Sequence, residues 1–558
     1  MGSLSMDDKK RLGAFYTEDA VAAFLVQWGL SKSAGSVMDP SCGDGRFLVQ
    51  AARLGATRVV GCDADSSAVK ATRENLASEE CEAEVVESDF FRQEPTSLGS
   101  VDLVVGNPPF IRYQRFNGES RHLAQASARK LGVHLNGLAA SWAPFLMHSL
   151  RFLRPDGAMA MVVPAEIVQT TYGLPVLRGL LAHFERVRLI AFDRNIFHEA
   201  QEETFLLLAE RCGRHTNETE IVHLTNSAEL DGLTDQRMEQ LVTRTQVPAE
   251  GPFSFGYTLL TDSLRAEWDE FIRRGPVTPL ERIAAVTNGY VSGANSFFHR
   301  TTEEALAVGI PAEWLRVSAK GSRSLIGLSF TETDVEFLES KGEAHHLVVP
   351  QEDGLFSSDE DALKRFTSEG ESLGIDARFK CRTRSPWWRV PGLHVPHAFF
   401  PYMIASTPHA SLNESAAVYT NTLHGIRFVD GVDPRLVVLA LLTTPALLSM
   451  ELVGRSYGGG VLKLEPSELR RVTVPLPDVP EAAVASAFAQ ADSLVRSGQY
   501  QAAVESADAL LLEETGICVA STLAALRGAR DYLVSRRMTR ARRADHERTG
   551  SKDLAGRS

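Results

Sequence analysis

The stretch Val105-Gly-Asn-Pro-Pro-Phe-Ile-Arg-Tyr113 follows an apolar run, "VDLVV", that reads as a buried strand. A turn alone needs neither an amide before two prolines nor a ring after them. Asn107 offers a side-chain carbonyl. Pro108 has no N–H, but its backbone C=O can accept, and the Pro108-Pro109 pair makes that carbonyl's direction rigid. Two acceptors aimed at one point suit an NH₂ group. They bind its hydrogens and draw the nitrogen toward tetrahedral, which frees its lone pair for attack on an electrophilic methyl. Phe110 can stack on the ring that bears the amine.

A second constellation lies upstream. "VMDPSCGDGRF" sets an acidic residue and a Gly-rich turn between a strand and a helix. Asp39, Pro40, Ser41, Gly43 and Gly45 form this turn. Its glycines permit positive φ and close backbone approach to a ligand. The spacing is neither G-x-G-x-x-G nor the Gly-Lys-Ser/Thr of a phosphate loop. Such a turn suits a ligand carrying an amino acid ammonium group. The next strand ends at Asp63, placed to accept from ribose hydroxyls. The third ends at Asp89-Phe90, where the carboxylate can accept from an exocyclic amine and the ring can flank adenine. Three acidic strand ends in series fit S-adenosylmethionine.

The elements that must hold these residues alternate. Helical patterns at 18–30, 45–55, 66–77 and 174–184 interleave with apolar strands at 36–39, 58–63, 83–89, 101–106, 158–166, 187–192 and 203–210. A long helix is expected over 136–153, closed by a turn at "RPDG". Strands apolar throughout predict a mostly parallel sheet covered on both faces, with ligands beyond the carboxyl ends of the strands. The fold class is therefore α/β, with a Rossmann-like domain over 1–245. The rhythm is lost near 245. Residues 250–477 mix short strands, turns and aromatic-basic loops, and 478–558 reads as a helical segment with a basic tail.

The chain has 558 residues, beyond the size at which one core keeps growing. No apolar run is long enough for a membrane span and no signal peptide is visible, so a cytoplasmic location is expected. Six scattered cysteines form no C-x-x-C pair, which argues against disulfide and zinc frameworks. The pairs His345-His346 and His394/His397 lack partners at metal-ligand spacing, so no metal is expected. Net charge is −13, so any polyanion binding must rest on locally concentrated cations.

With these motifs quoted, the chain resembles the gamma class of DNA N6-adenine methyltransferases of restriction-modification systems, the TaqI-like group. "NPPF" after "DPSCGDGRF" looks like the amino-methyltransferase signature, and the likeness covers residues 11 to about 210 well. The resemblance implies a class I S-adenosylmethionine-dependent methyltransferase domain. It implies that Tyr16 and Thr17 belong to the cofactor site with Asn107, and that Phe197 is a second base-stacking aromatic. More weakly, Thr287–Phe298 resembles the start of a target-recognition domain and Ser456–Pro477 its closing element. A mixed α+β recognition domain over 250–477 follows. Phe110 stands where many relatives have Tyr, so a hydroxyl there is not expected to matter.

The implied reaction takes an adenine out of duplex DNA at a cost of roughly a few kcal/mol. Stacking by Phe110 and Phe197, worth about 1–3 kcal/mol per base, would offset it. Arg382, Arg384, Trp387, Trp388, Arg389 and Lys463 are candidate DNA contacts. The Arg-rich tail (Arg536, Arg537, Arg540, Arg542, Arg543) could touch DNA, but reads first as a solvated helix end. The expected partners are double-stranded DNA and a separate restriction endonuclease or defence subunit, with the chain a monomer or weak dimer. N4-cytosine, RNA adenine and protein glutamine remain as alternative acceptors, since their amines suit the same two oxygens.

Overall fold

A computed structural model describes residues 17–32, 35–170, 172–193, 203–251, 253–350, 357–457 and 460–555. The chain divides into two compact units. One comprises Met1–Leu259, Tyr457–Gly460 and Arg536–Ser558; the other comprises Leu260–Ser456 and Val461–Ser535.

The first unit is built on a nine-stranded sheet. Its strands are β1 (Ser36–Asp39), β2 (Arg58–Asp63), β3 (Glu82–Glu87), β4 (Val101–Gly106), β5 (Leu153–Pro164), β6 (Phe184–Phe192), β7 (Thr204–Cys212), β8 (Glu218–Leu224) and β9 (Val242–Gln246). Their spatial order is β3-β2-β1-β4-β5-β7-β6-β8-β9. β3 through β5 are parallel, β7 is inserted antiparallel between β5 and β6, and β8 runs parallel to β6. The strand order reverses direction between β1 and β4, and the acidic motifs sit at those strand ends.

Consecutive strand residues feed opposite cores. Val37, Val59, Leu103, Val105 and Ala160 join helices α1 (Asp19–Lys32), α2 (Arg46–Arg53) and α3 (Ser66–Leu76) on one face. Met38, Val60, Val104, Met159 and Met161 join α4 (Gly118–Lys130), α5 (Trp142–Leu150) and α6 (Gly173–Leu181) on the other. That double burial is why the stretches Val37–Met38, Val59–Val60, Leu103–Val105 and Ala158–Val163 are apolar without interruption. Each fully buried aliphatic contributes about 1.5–3 kcal/mol relative to exposure. Gly29 lets α1 approach the sheet, since a Cβ there would lie 2.5 Å from Leu103 Cδ1.

Two expectations need correction here. The helix expected over 136–153 is confined to Trp142–Leu150, because the chain before it serves the Asn107 loop described below. "RPDG" is not a closing turn but an irregularity inside β5. The register with β4 jumps from Leu153 to Ala158, and Asp156 takes a φ of 59°. β8 and β9 extend the sheet beyond the strands expected from sequence. Arg188, Glu220 and Arg244 face one another in register across β6, β8 and β9. Arg188 Nη2 lies 2.6 Å from Glu220, and Arg244 Nε lies 3.2 Å from it.

In the second unit, strands Ala284–Asn288, Leu423–Phe428, Ala398–Pro401, Ser411–Asn413 and Ser329–Phe330 form a five-stranded sheet in that order. Helices Glu481–Arg496 and Tyr500–Asp508 belong to this unit. A last helix, α7 (Ala520–Ala555), begins in it, and from Arg536 onward the chain counts with the first unit. No single helix among the described residues is long and apolar enough to cross a membrane.

Candidate active site

β1 delivers Asp39 into a buried position at its carboxyl end. Asp39 Oδ1 accepts from the Ser41 N–H at 3.0 Å. Its Oδ2 is buried and no described donor reaches it. Burial, with the charges of Asp63 and Asp44 adding to it, pushes the carboxyl up to about 8 against the opposing Ser41 hydrogen bond. A buried acceptor left open at a strand end is available to a donor from a ligand or water.

The Gly turn is real and is organised by the next strand. Gly43 has φ 55°, and nothing lies within 4 Å of where its Cβ would be. Gly45 has φ 81°, and a Cβ there would press to 2.9 Å from Thr72 Cγ2. Asp63, at the end of β2, accepts from Gly43 N–H and from Asp65 N–H, both at 2.9 Å. Its carboxylate therefore shapes the turn as well as facing outward from the strand. Burial pushes the Cys42 thiol far up and the Cys62 thiol up to about 12, so neither supplies a thiolate nucleophile.

Asp89 caps the short helix Phe90–Arg92. It accepts from Phe91 N–H at 3.1 Å and from the Ser120 hydroxyl. Phe90 does not offer a ring face to a ligand, as its position after the strand implied. It is 4 % exposed and packs in an aromatic cluster, with ring centroids 5.0 Å from Phe145, 4.6 Å from His148 and 5.3 Å from Phe152. Its backbone carbonyl is held by His148 Nε2 at 3.0 Å.

The Asn107 loop abuts Asp39. β4 ends on Gly106, whose φ is 154°, and a Cβ there would stand 2.6 Å from Asp39 Oδ1. Only glycine lets the two motifs meet so closely. Ser41 donates its hydroxyl to the Asn107 carbonyl at 3.1 Å, and Asn107 Nδ2 donates to Thr17 Oγ1 at 3.3 Å. Thr17 is buried, and its carbonyl accepts from Arg46. Among the described residues nothing donates to the Pro108 carbonyl. The next carbonyl, of Pro109, accepts from Ser141 Oγ, which itself accepts from Ile111 N–H at 2.8 Å. Ser141 N–H returns a bond to the Ile111 carbonyl at 3.0 Å. The loop is thus pinned on both sides of Pro108. Phe110 is half-buried against the cores of both sheet faces.

Thr17, Asp39, Pro40, Ser41, Gly43, Gly45, Asp63, Asn107, Pro108, Pro109 and Phe110 gather around the ends of β1, β2 and β4. Gly106 and Ser141 were missed. The glycine before Asn107 was the available signal for the first; a serine opening a helix 34 residues downstream gave none for the second. Tyr16 and Phe197 lie outside the described residues. No cluster of metal-ligating side chains occurs among the described residues.

The six candidate DNA contacts separate. Arg384 spends its guanidinium on the carbonyls of Ser292, at 2.8 Å, and Val291. Trp388 is buried in the core of the second unit, and Trp387 packs against Phe297 with centroids 6.0 Å apart. Lys463 pairs with Glu465 at 2.6 Å and lies over the Tyr402 ring. Arg382 and Arg389 are exposed. Arg536 and Arg537 are not a solvated helix end. Both are buried. Arg536 bonds Asp193 at 3.0 Å, Glu203 at 3.1 Å and the Phe192 carbonyl at 3.2 Å, and Arg537 donates to the Gly460 carbonyl.

Comparison with known proteins agrees in two places. Residues 1–247 match the family described as N-6 DNA Methylase, and residues 255–512 match the C-terminal domain of type II methyltransferase M.Eco57I. The chain is 22 % identical over 486 residues to type II methyltransferase M.AccI of Acinetobacter calcoaceticus, covering 84 % of this chain and 86 % of that protein. It is 22 % identical over 472 residues to M.XamI of Xanthomonas campestris pv. amaranthicola, covering 83 % and 85 %. Its fold is similar to that in the DrdV–DNA complex, with a TM-score of 0.51 at 12 % identity over 88 % of this chain and 58 % of that one.

Proposed function

The chain belongs to the N-6 DNA methylase family and is a DNA N6-adenine methyltransferase of restriction-modification systems, and from that premise we propose which of its residues bind, orient and react. The observation that carries the assignment is the shared wall. Asp39, Gly106 and Asn107 put a buried open carboxylate and a rigid two-acceptor loop side by side.

S-adenosylmethionine fits the first half of that site and supplies an electrophilic methyl on a sulfonium. Asp39 would hold its ammonium group, the Gly43 turn would admit it closely, and Asp63 would accept from its ribose. Tyr16 and Thr17 would complete the pocket. Asp89 acts mainly by ordering the turn after β3, and the Phe90 backbone, not its ring, borders the pocket.

On the other side, the Pro108 carbonyl and the Asn107 side chain accept the two N6 hydrogens of a flipped adenine. This withdraws the nitrogen lone pair from the ring and turns it toward the methyl. The proton lost after transfer passes along those acceptors to water. Phe110 stacks on the base, and Phe197 is the proposed second ring. Catalysis is positioning and electrostatics, with no thiolate or metal required of these residues. Double-stranded DNA in the prokaryotic cytoplasm is the substrate, and a separate restriction endonuclease is the fitting partner.

Methylation-aware sequencing of DNA from cells expressing the protein should reveal N6-methyladenine at one sequence motif, absent with Asn107→Ala. Purified N107A should still bind cofactor while methyl transfer falls by at least a hundredfold. Full transfer by N107A would refute the loop's role, and N4-methylcytosine at the motif would reassign the base. Phe197→Ala should reduce 2-aminopurine fluorescence at the target; an unchanged signal removes Phe197 from the pocket.

A further inference from the structure

The turn Phe379–Arg382 in the second unit carries an exposed aromatic ringed by cations. Phe379 is 64 % exposed. Lys380 Nζ lies 5.8 Å from its ring centroid and the Arg382 guanidinium 5.5 Å. Arg378, one residue earlier, is also exposed. Among the described residues none of these three cations has a carboxylate within ion-pair distance, although Asp376 is near in sequence. One exposed ring on a surface needs no explanation. Three unpaired cations around it do, in a chain of net charge −13.

The turn is also held rigidly from beneath. Cys381 is fully buried, and its thiol points to the Ser292 carbonyl at 3.7 Å. Arg384 grips the carbonyls of Val291 and Ser292. Gly293, at φ 87°, allows the backbone to pass, since a Cβ there would lie 2.9 Å from Lys380 Cβ. Trp387 and Trp388 anchor the following residues in the core. An aromatic presented on a fixed base loses little entropy on contact.

We propose that Phe379 is a base-contacting wedge of this enzyme's DNA surface, with Arg378, Lys380 and Arg382 seating the flanking phosphates. Cations that neutralise phosphates supply sequence-independent affinity, while an inserted aromatic contacts the bases and opens a step. The cations complement a polyanion, and in an enzyme whose substrate is DNA the occupant is duplex DNA. This reading rests on the assignment of the chain as a DNA methyltransferase and adds to it a position remote in sequence from the reacting loop.

The test uses the full chain and two 30-base-pair duplexes, one carrying the motif found by methylation sequencing and one scrambled. Wild-type binding to the motif duplex, measured against salt, comes first; salt-independent binding, or none, defeats the DNA assignment itself. Given normal wild-type behaviour, Lys380→Ala/Arg382→Ala should make the log-log salt slope shallower by about two for both duplexes. Phe379→Ala should leave the slope unchanged and weaken motif binding about five- to a hundredfold, the worth of one stacked base. Phe379→Trp should restore it. Cofactor binding should be unaffected in all three variants, which separates a lost contact from a misfolded chain. Wild-type slope in the double variant, or wild-type motif affinity in Phe379→Ala, overturns the proposal.

Discussion

Burial removes the water that would stabilise the Asp39 charge and pushes its carboxyl up to about 8. Its folded value lies above its unfolded one, so the folded state binds the extra proton between roughly pH 4 and 8. Across that window stability falls as pH rises, and above the folded value the loss is complete. Asp39→Asn should flatten that part of the stability curve, measured by urea unfolding at a series of pH values. An ammonium group placed against Asp39 favours the ionised form, so cofactor binding at pH 7 should release a proton. Calorimetry in buffers of different ionisation enthalpy reads this directly, and D39N should show no such release. Gly106→Ala places a methyl against the same carboxylate in a conformation that L residues avoid. It should cost about 1–3 kcal/mol in stability and weaken cofactor binding. The strand-end placement of Asp39, Gly43 and Asn107 was legible in the sequence, because an acidic residue, a Gly-rich turn and an Asn-Pro-Pro run each follow an apolar strand. Phe90 was misread for a physical reason. An aromatic after a strand end can turn either to the ligand or to the core, and only the neighbours Phe145, His148 and Phe152 decide.

Most of the parallel strands could be read from sequence by their uninterrupted apolar stretches, the imprint of helices on both faces, whereas the edge strand β3 carries three glutamates. β8 and β9 were not, since "ETEIVHL" carries charges that belong to a cross-strand ladder and look like surface. The last helix was legible, but the same blindness hid what its arginines do. Arg536 looked solvated, yet its guanidinium ties the end of β6, through Phe192 and Asp193, to the start of β7 at Glu203. Residues paired across 333 positions leave no local trace. Arg536→Met would take the guanidinium away from the buried Glu203 carboxylate, with an expected loss of about 3 kcal/mol. Hydrogen exchange should rise in β6 and β7 more than in β1 to β3, and Glu203→Gln in the same chain should recover part of the loss. Equal exchange in all strands would show that Arg536 carries no such load.

At the scale of the whole chain, the acidic net charge means that affinity for DNA comes from where cations stand, not how many there are. Raising salt from 50 to 200 mM should weaken duplex binding at least tenfold, read by fluorescence anisotropy. The connectivity of the first unit has another outcome. Its sheet is encoded before residue 250, but the arginines that fasten β6 to β7 and grip Gly460 come from beyond residue 535. On the ribosome the catalytic unit therefore waits, unfastened, while nearly three hundred residues of another unit are synthesised. A chain cut before residue 536 would lack that fastening, although its whole nine-stranded sheet would already be encoded.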